Sequence, residues 1–145
     1  MGRSGYYDVE LSQRFNLVLT CEAKVNDQPA RLVVDTGAYW SCFDRTQISR
    51  LGLKPRQTQY RIVGVGKIGS HWLDVTKLKS LQVGDLVLTD LEFGVADMKN
   101  WGLGENGQKS FDGQGVLGTE QLTRNEALID CRRLKLWLRP LKSPR

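Results

Sequence analysis

A chain of 145 residues with 40% hydrophobic and 26% charged side chains fits one globular domain that needs neither a metal nor a disulfide framework for its core. Its three cysteines, Cys21, Cys42 and Cys131, are odd in number and widely spaced, so they read as reduced thiols of an intracellular protein. The net charge of +5 is moderate, and no apolar run is long enough to cross a bilayer, so no membrane segment and a cytoplasmic location are expected.

Residues 1–14 are polar and glycine-containing and read as an N-terminal arm, loose or paired as an edge strand. Phe15 to Val25 alternates: Leu17, Leu19, Cys21, Ala23 and Val25 share one face, which predicts a half-buried strand. Asn26-Asp27-Gln28 is turn chemistry, and a second strand runs from Arg31 to Val34. Asp44 is placed to cap a short helix through Arg50, with Gln47 completing a capping box and Gly52 and Pro55 ending it.

Strands are predicted over 58–63 and 70–79, joined by the glycine-rich tip Gly64-Val65-Gly66-Lys67-Ile68-Gly69. Leu81 and Val83 lead through Gly84-Asp85 into a strand at Leu86-Val87-Leu88, and another carries Leu91, Phe93 and Val95. Residues 97–114 read as a long polar surface loop. Gly115 to Gly118, a short helix from Thr119 to Asn125, and a hairpin of 127–131 with 134–138 close the chain. Many short strands separated by turns predict an all-β, closed barrel-like domain with one or two short helices.

The end of the chain is basic: Arg132, Arg133, Lys135, Arg139, Lys142 and Arg145 occur with no acid after Asp130. A solvated edge followed by a basic tail at 139–145 accounts for this. Attraction to acidic partners is the competing explanation, but no zinc-ligand spacing or nucleic-acid motif accompanies it, and no nucleic-acid partner is expected.

Chemistry concentrates at Leu32-Val33-Val34-Asp35-Thr36-Gly37-Ala38. An acid directly after three apolar strand residues is costly unless hydrogen bonds compensate it. Thr36 supplies a hydroxyl, and Gly37 permits a tight turn with exposed backbone N–H groups. Taken alone, the triplet fits a turn-capping aspartate as well as a catalytic one. The other reactive residues are weaker candidates. His71 is the single histidine, so it can build neither a metal cluster nor, with Cys42, a convincing nucleophile pair. Asp130 lacks the Thr-Gly context and reads as a turn residue of the last hairpin. Trp40, Trp72 and Trp101 are candidates for a binding surface, and Trp137 for the core or an interface.

With Gly115-Val116-Leu117-Gly118 and the helix and hairpin after it, the order of parts over about residues 15–138 resembles the retropepsin-like aspartic proteases. Asp35-Thr36-Gly37 stands where that family carries its active-site turn, and Leu51-Gly52-Leu53 where a helical turn ends. The resemblance implies a domain at 15–138 and a flap formed by Val63, Gly64, Val65, Gly66, Lys67, Ile68 and Gly69. Val116, Leu117 and Gly118 would cross behind the active turn. Asp35 would be the catalytic carboxylate, with Thr36, Gly37 and Ala38 supporting it.

Tyr39 departs from the retroviral pattern, in which an acid at this place holds the peptide backbone. The resemblance further implies an endopeptidase without cofactor or metal, acting on polypeptides through an aspartate pair. Because Asp-Thr-Gly occurs once, that pair requires a homodimer, with residues 1–14 and 134–145 as candidates for interlocking termini. The alternative is a catalytically idle fold of the same family that binds proteins or dimerises.

Overall fold

The computed structural model describes residues 5–13, 18–62, 71–98 and 113–141. The strands are β1 (Tyr7–Glu10), β2 (Ser12–Gln13), β3 (Leu19–Val25), β4 (Gln28–Val34), β5 (Cys42–Asp44), β6 (Arg56–Ile62) and β7 (His71–Leu78). They continue with β8 (Leu81–Val83), β9 (Leu86–Leu88), β10 (Leu91–Ala96), β11 (Gly115–Leu117), β12 (Leu128–Asp130) and β13 (Lys135–Leu138). One helix, α1 (Thr119–Arg124), lies between β11 and β12.

The alternation in β3 takes effect as expected: Cys21, Ala23 and Val25 are buried while Glu22 and Lys24 face solvent. Asn26 and Asp27 both take positive φ, 48° and 65°, the geometry that lets a two-residue loop match the twist of the strands it joins. The Asn26 side chain fastens this turn to its neighbours. Its Oδ1 accepts the N–H groups of Lys79 and Ser80, and its Nδ2 donates to the Leu51 carbonyl.

The main sheet runs β6-β7-β10-β5-β11-β4-β3-β8-β9, with β2 paired to β3. Among the described residues its two end strands do not meet, so the expected closed barrel is corrected to an open sheet. Strand β11 separates β4 from β5. It runs parallel to β4, with Val116 opposite Val33 and Leu117 opposite Val34, and antiparallel to β5, with Val116 opposite Cys42.

These three central strands are covered on both faces. Leu32, Val34, Phe43 and Leu117 belong to the large core, where the Phe43 and Phe93 rings stack 5.1 Å apart. Val33, Cys42 and Val116 point the other way and pack with Met98. Two-sided burial explains why Leu32-Val33-Val34 is an unbroken apolar run.

One further expectation needs correction. The segment after Asp44 is a 3-10 turn, Arg45–Gln47, without a side-chain cap. The Asp44 carboxylate is buried and turned elsewhere: Oδ2 accepts the Thr46 hydroxyl at 2.7 Å and Oδ1 the Met98 N–H at 3.3 Å. Strand β1 pairs with β13 inside the same subunit, Tyr7 opposite Leu138 and Glu10 opposite Lys135, and β12 covers the other edge of β13. Val9 and Leu11 are buried in the main core, and Lys135 pairs with Asp8 and Glu10.

Candidate functional site

Strand β4 delivers Asp35 from a two-faced core into solvent: Val34 is buried, whereas Asp35, Thr36 and Gly37 are exposed. The Asp35 N–H donates to the Leu117 carbonyl at 3.1 Å, tying the turn to β11. Asp35 Oδ1 accepts the Gly37 N–H at 2.8 Å, and the Ala38 N–H returns to the Asp35 carbonyl at 3.2 Å. This is a compact turn in which the carboxylate is oriented by backbone and still reachable from outside. A Cβ at Gly37 would sit 3.1 Å from Asp35 Oδ1, so the glycine leaves room for the carboxylate beside its own amide.

The residues behind the turn come from the other end of the domain. Val116 and Leu117 lie in β11, which pairs with β4, and Gly118 opens α1. Gly118 donates its N–H to Ser41 Oγ at 2.8 Å. A Cβ there would stand 2.7 Å from the Trp40 carbonyl carbon and oxygen and 2.9 Å from the Ala38 oxygen, which leaves room only for glycine. Gly115 is equally confined, with the Cys42 oxygen 2.6 Å from the place of a Cβ.

Two residues not singled out in the sequence complete the arrangement. Thr119 donates its hydroxyl to the Thr36 carbonyl at 2.9 Å and its N–H to the Ala38 carbonyl at 2.8 Å. Glu120 donates its N–H to the Tyr39 carbonyl at 3.2 Å, and its Oε1 accepts the Ser41 N–H at 2.7 Å. Thr119 and Glu120 could be read as the opening of a helix, but no local pattern tells that they grip residues some eighty positions earlier.

Tyr39 and Trp40 stand on the far side of the turn, 73% and 45% exposed, with their rings edge to face at 5.2 Å. The flap expected at Val63 to Gly69 lies outside the described residues. The strands on either side of that segment pair, with Arg61 opposite Trp72 and Ile62 opposite His71.

The competing nucleophile is inert. Burial, reinforced by the nearby Glu120 carboxylate, pushes the Cys42 thiol up to about 12, and its Sγ lies 3.6 Å from the Trp40 carbonyl oxygen. Asp130 is held below the usual carboxylate range by the Arg133 N–H, then by the Arg133 side chain, as befits a residue bracing the turn between β12 and β13. Three residues of the basic end are matched within the fold, Arg133 on Asp130, Lys135 on Asp8 and Glu10, and Arg139 on Glu126. Among the described residues no group of three His, Cys, Asp or Glu side chains gathers as a metal site.

Comparison with known proteins agrees with this geometry. A family model described as aspartyl protease matches residues 21–120, a stretch that contains both the Asp35 turn and the Gly118–Glu120 segment behind it. The chain belongs to the aspartyl protease family.

Its fold is that of the retropepsin-like members. A retropepsin-like aspartic protease from Rickettsia conorii superposes with a TM-score of 0.62 at 21% identity, covering 92% of this chain and 90% of that one. The retroviral protease-like domain of Ddi1 from Leishmania major gives 0.56 at 18% identity, covering 83% and 87%. EIAV protease, in complex with an inhibitor, gives 0.52 at 20% identity, covering 77% and 91%. No curated protein sequence matches this one.

Proposed function

We propose that this chain is one subunit of an aspartic endopeptidase, hydrolysing peptide bonds with a water activated by two Asp35 carboxyl groups from two copies. The observation that carries this reading is the Asp35 turn itself. The carboxylate leaves a dry core, is oriented by the Gly37 N–H at 2.8 Å, and remains exposed at the surface. A turn-capping aspartate would orient itself in the same way, but membership of the family favours the catalytic role.

The reaction needs a base toward water and an acid toward the carbonyl oxygen in the same step. One carboxyl cannot be both, and this sequence carries a single Asp-Thr-Gly. A two-fold axis that brings two Asp35 side chains together supplies the pair. Two facing carboxylates resist joint ionisation, so they hold one proton between them. The ionised Asp35 takes a proton from water as its oxygen attacks the scissile carbonyl carbon. The protonated Asp35 of the second copy gives its proton to the carbonyl oxygen. Collapse of the tetrahedral intermediate, with a proton delivered to the amide nitrogen, breaks the C–N bond and releases an amine and a carboxylic acid. A polypeptide substrate lies extended across this floor beneath the flaps formed by residues 63–69, and flap closure excludes bulk water.

The test is cleavage of a diverse peptide library from about pH 4 to 7, because a reaction that needs one acid and one base depends on pH. Wild type should cut, and Asp35→Asn should lose about a thousandfold or more in rate, as expected when an essential acid–base group is removed. Equal cutting by the two proteins would overturn the assignment.

A further inference from the structure

Burial does not hold the Asp35 turn in place. Between Asp35 and Trp40 only Ala38 is even half-buried, so the shape of this segment has to come from hydrogen bonds. Those bonds converge from one short piece of chain. Leu117 accepts from Asp35, Thr119 bonds Thr36 and Ala38, Glu120 bonds Tyr39 and Ser41, and Gly118 donates to Ser41. Within this set, Thr119 and Glu120 each bind the segment through a side chain as well as through a backbone N–H.

Glu120 has a second peculiarity. Its Oε1 takes the Ser41 N–H at 2.7 Å, while its Oε2 is buried with no hydrogen-bond partner among the described residues. A half-satisfied carboxylate beside the apolar Cys42 cluster works against stability. The stability of α1 alone does not call for it, because the helix start is also served by the Gly118 and Thr119 backbone bonds.

We infer that Thr119 and Glu120 are positioning residues of the Asp35 site, fixing the turn from behind so that the Gly37 N–H holds the carboxyl in its productive orientation. The inference rests on the reading of Asp35 as the catalytic group. Glu120 holds Ser41 and Tyr39, Thr119 holds Ala38 and Thr36, and Thr36 precedes the Gly37 amide bonded to Asp35 Oδ1. Releasing either side chain lets the 36–41 segment shift. A displacement of about 1 Å at a reacting group is enough to cost about a hundredfold in rate. The acceptor at Ser41 is what matters here, not the charge, because an uncharged side-chain carbonyl can accept the same N–H.

The test compares wild type with Glu120→Ala, Glu120→Gln, Thr119→Val and Thr119→Ser, read by steady-state peptide cleavage and by amide exchange of the intact protein. Glu120→Ala and Thr119→Val should lower kcat about ten- to hundredfold while KM stays within about threefold, the pattern of a misaligned reacting group. Glu120→Gln and Thr119→Ser should return kcat to within about threefold of wild type. In Glu120→Ala the Ser41 amide should exchange faster while the Val33 and Val116 amides keep their protection; Glu120→Gln should restore the Ser41 amide.

Unchanged kcat in both truncations, or failure of both conservative variants to rescue, would overturn the inference. If Glu120→Ala does not fold, the Thr119 pair decides. If wild type cuts no peptide, the peptidase reading has failed separately, and an unaltered Ser41 amide in Glu120→Ala would still refute the positioning role.

Discussion

At the scale of single residues, the site is defined more by close packing of backbone than by side-chain chemistry. Gly118 has carbonyl atoms of Trp40 and Ala38 within 2.9 Å of where a Cβ would stand, and neither belongs to a flexible side chain that could move aside. Gly118→Ala should therefore destabilise the fold by about 1–3 kcal/mol, the usual cost of overpacking, and displace the 38–41 segment. Urea unfolding with an unchanged m-value would report it.

The cysteines give an independent check on the inert-thiol conclusion. Burial holds both Cys21 and Cys42 at about 12, whereas Cys131 is exposed. Because the thiolate is the reactive form, iodoacetamide near neutral pH should label Cys131 and spare the other two in the folded protein. Peptide mass mapping would show it, and cleavage activity should survive the labelling. Rapid labelling of Cys42 would contradict its burial.

At the scale of elements, the β1-β13-β12 sheet changes what the chain ends do. Because Val9 and Leu11 are buried in the main core, removing residues 1–14 should unfold the domain rather than merely separate two subunits. Leu11→Ala alone should cost about 2–5 kcal/mol, measured as a shift in the denaturation midpoint.

The pairing of β1 with β13 also carries a pH signature. Asp8 lies below its ordinary value of 3.8, first through its hydrogen bond to Lys135 and then through the lysine's charge. Lys135 lies above 10.5, raised chiefly by Glu10 and then by Asp8. A depressed acid adds stability above its unfolded value and loses it as pH falls through its folded one. A raised base adds stability below its unfolded value and loses it as pH climbs through its folded one. The cluster thus supports the β1–β13 edge between 3.8 and 10.5, weakening outside both limits. Asp8 and Glu10 are solvent-exposed and Lys135 is half-buried, so the effect is small and should shrink in high salt. Comparing the melting temperature of Lys135→Met with wild type across pH and salt would reveal it, and a difference that persists at about 1 M salt would count against it.

At the scale of the whole molecule, the proposed chemistry depends on assembly. If each active site takes one Asp35 from each of two chains, specific activity should fall on dilution and return with concentration. Sedimentation should place the dimer–monomer midpoint at the same concentration. Mixing wild type with excess Asp35→Asn should suppress activity by forming mixed pairs. Full activity at concentrations where only monomer sediments would refute the shared site.

Local pattern alone determined a good deal of this protein. Alternation in β3, turn residues at Asn26-Asp27, and the unbroken apolar run before Asp35 are short-range features, since side-chain direction and turn geometry follow from a few neighbouring residues. The cap expected of Asp44 is missing because its carboxylate is taken up by the Thr46 hydroxyl and by the N–H of Met98, and the second of these partners lies 54 positions away. Local pattern leaves residues 1–14 either loose or an edge strand, and the choice is made by the pairing of β1 with β13, which joins residues at opposite ends of the chain. Only the tertiary structure could decide that Thr119 and Glu120 stand behind Asp35. Their hydrogen bonds exist because β11 is inserted between β4 and β5, and a contact made across some eighty residues leaves no periodicity for a sequence to display.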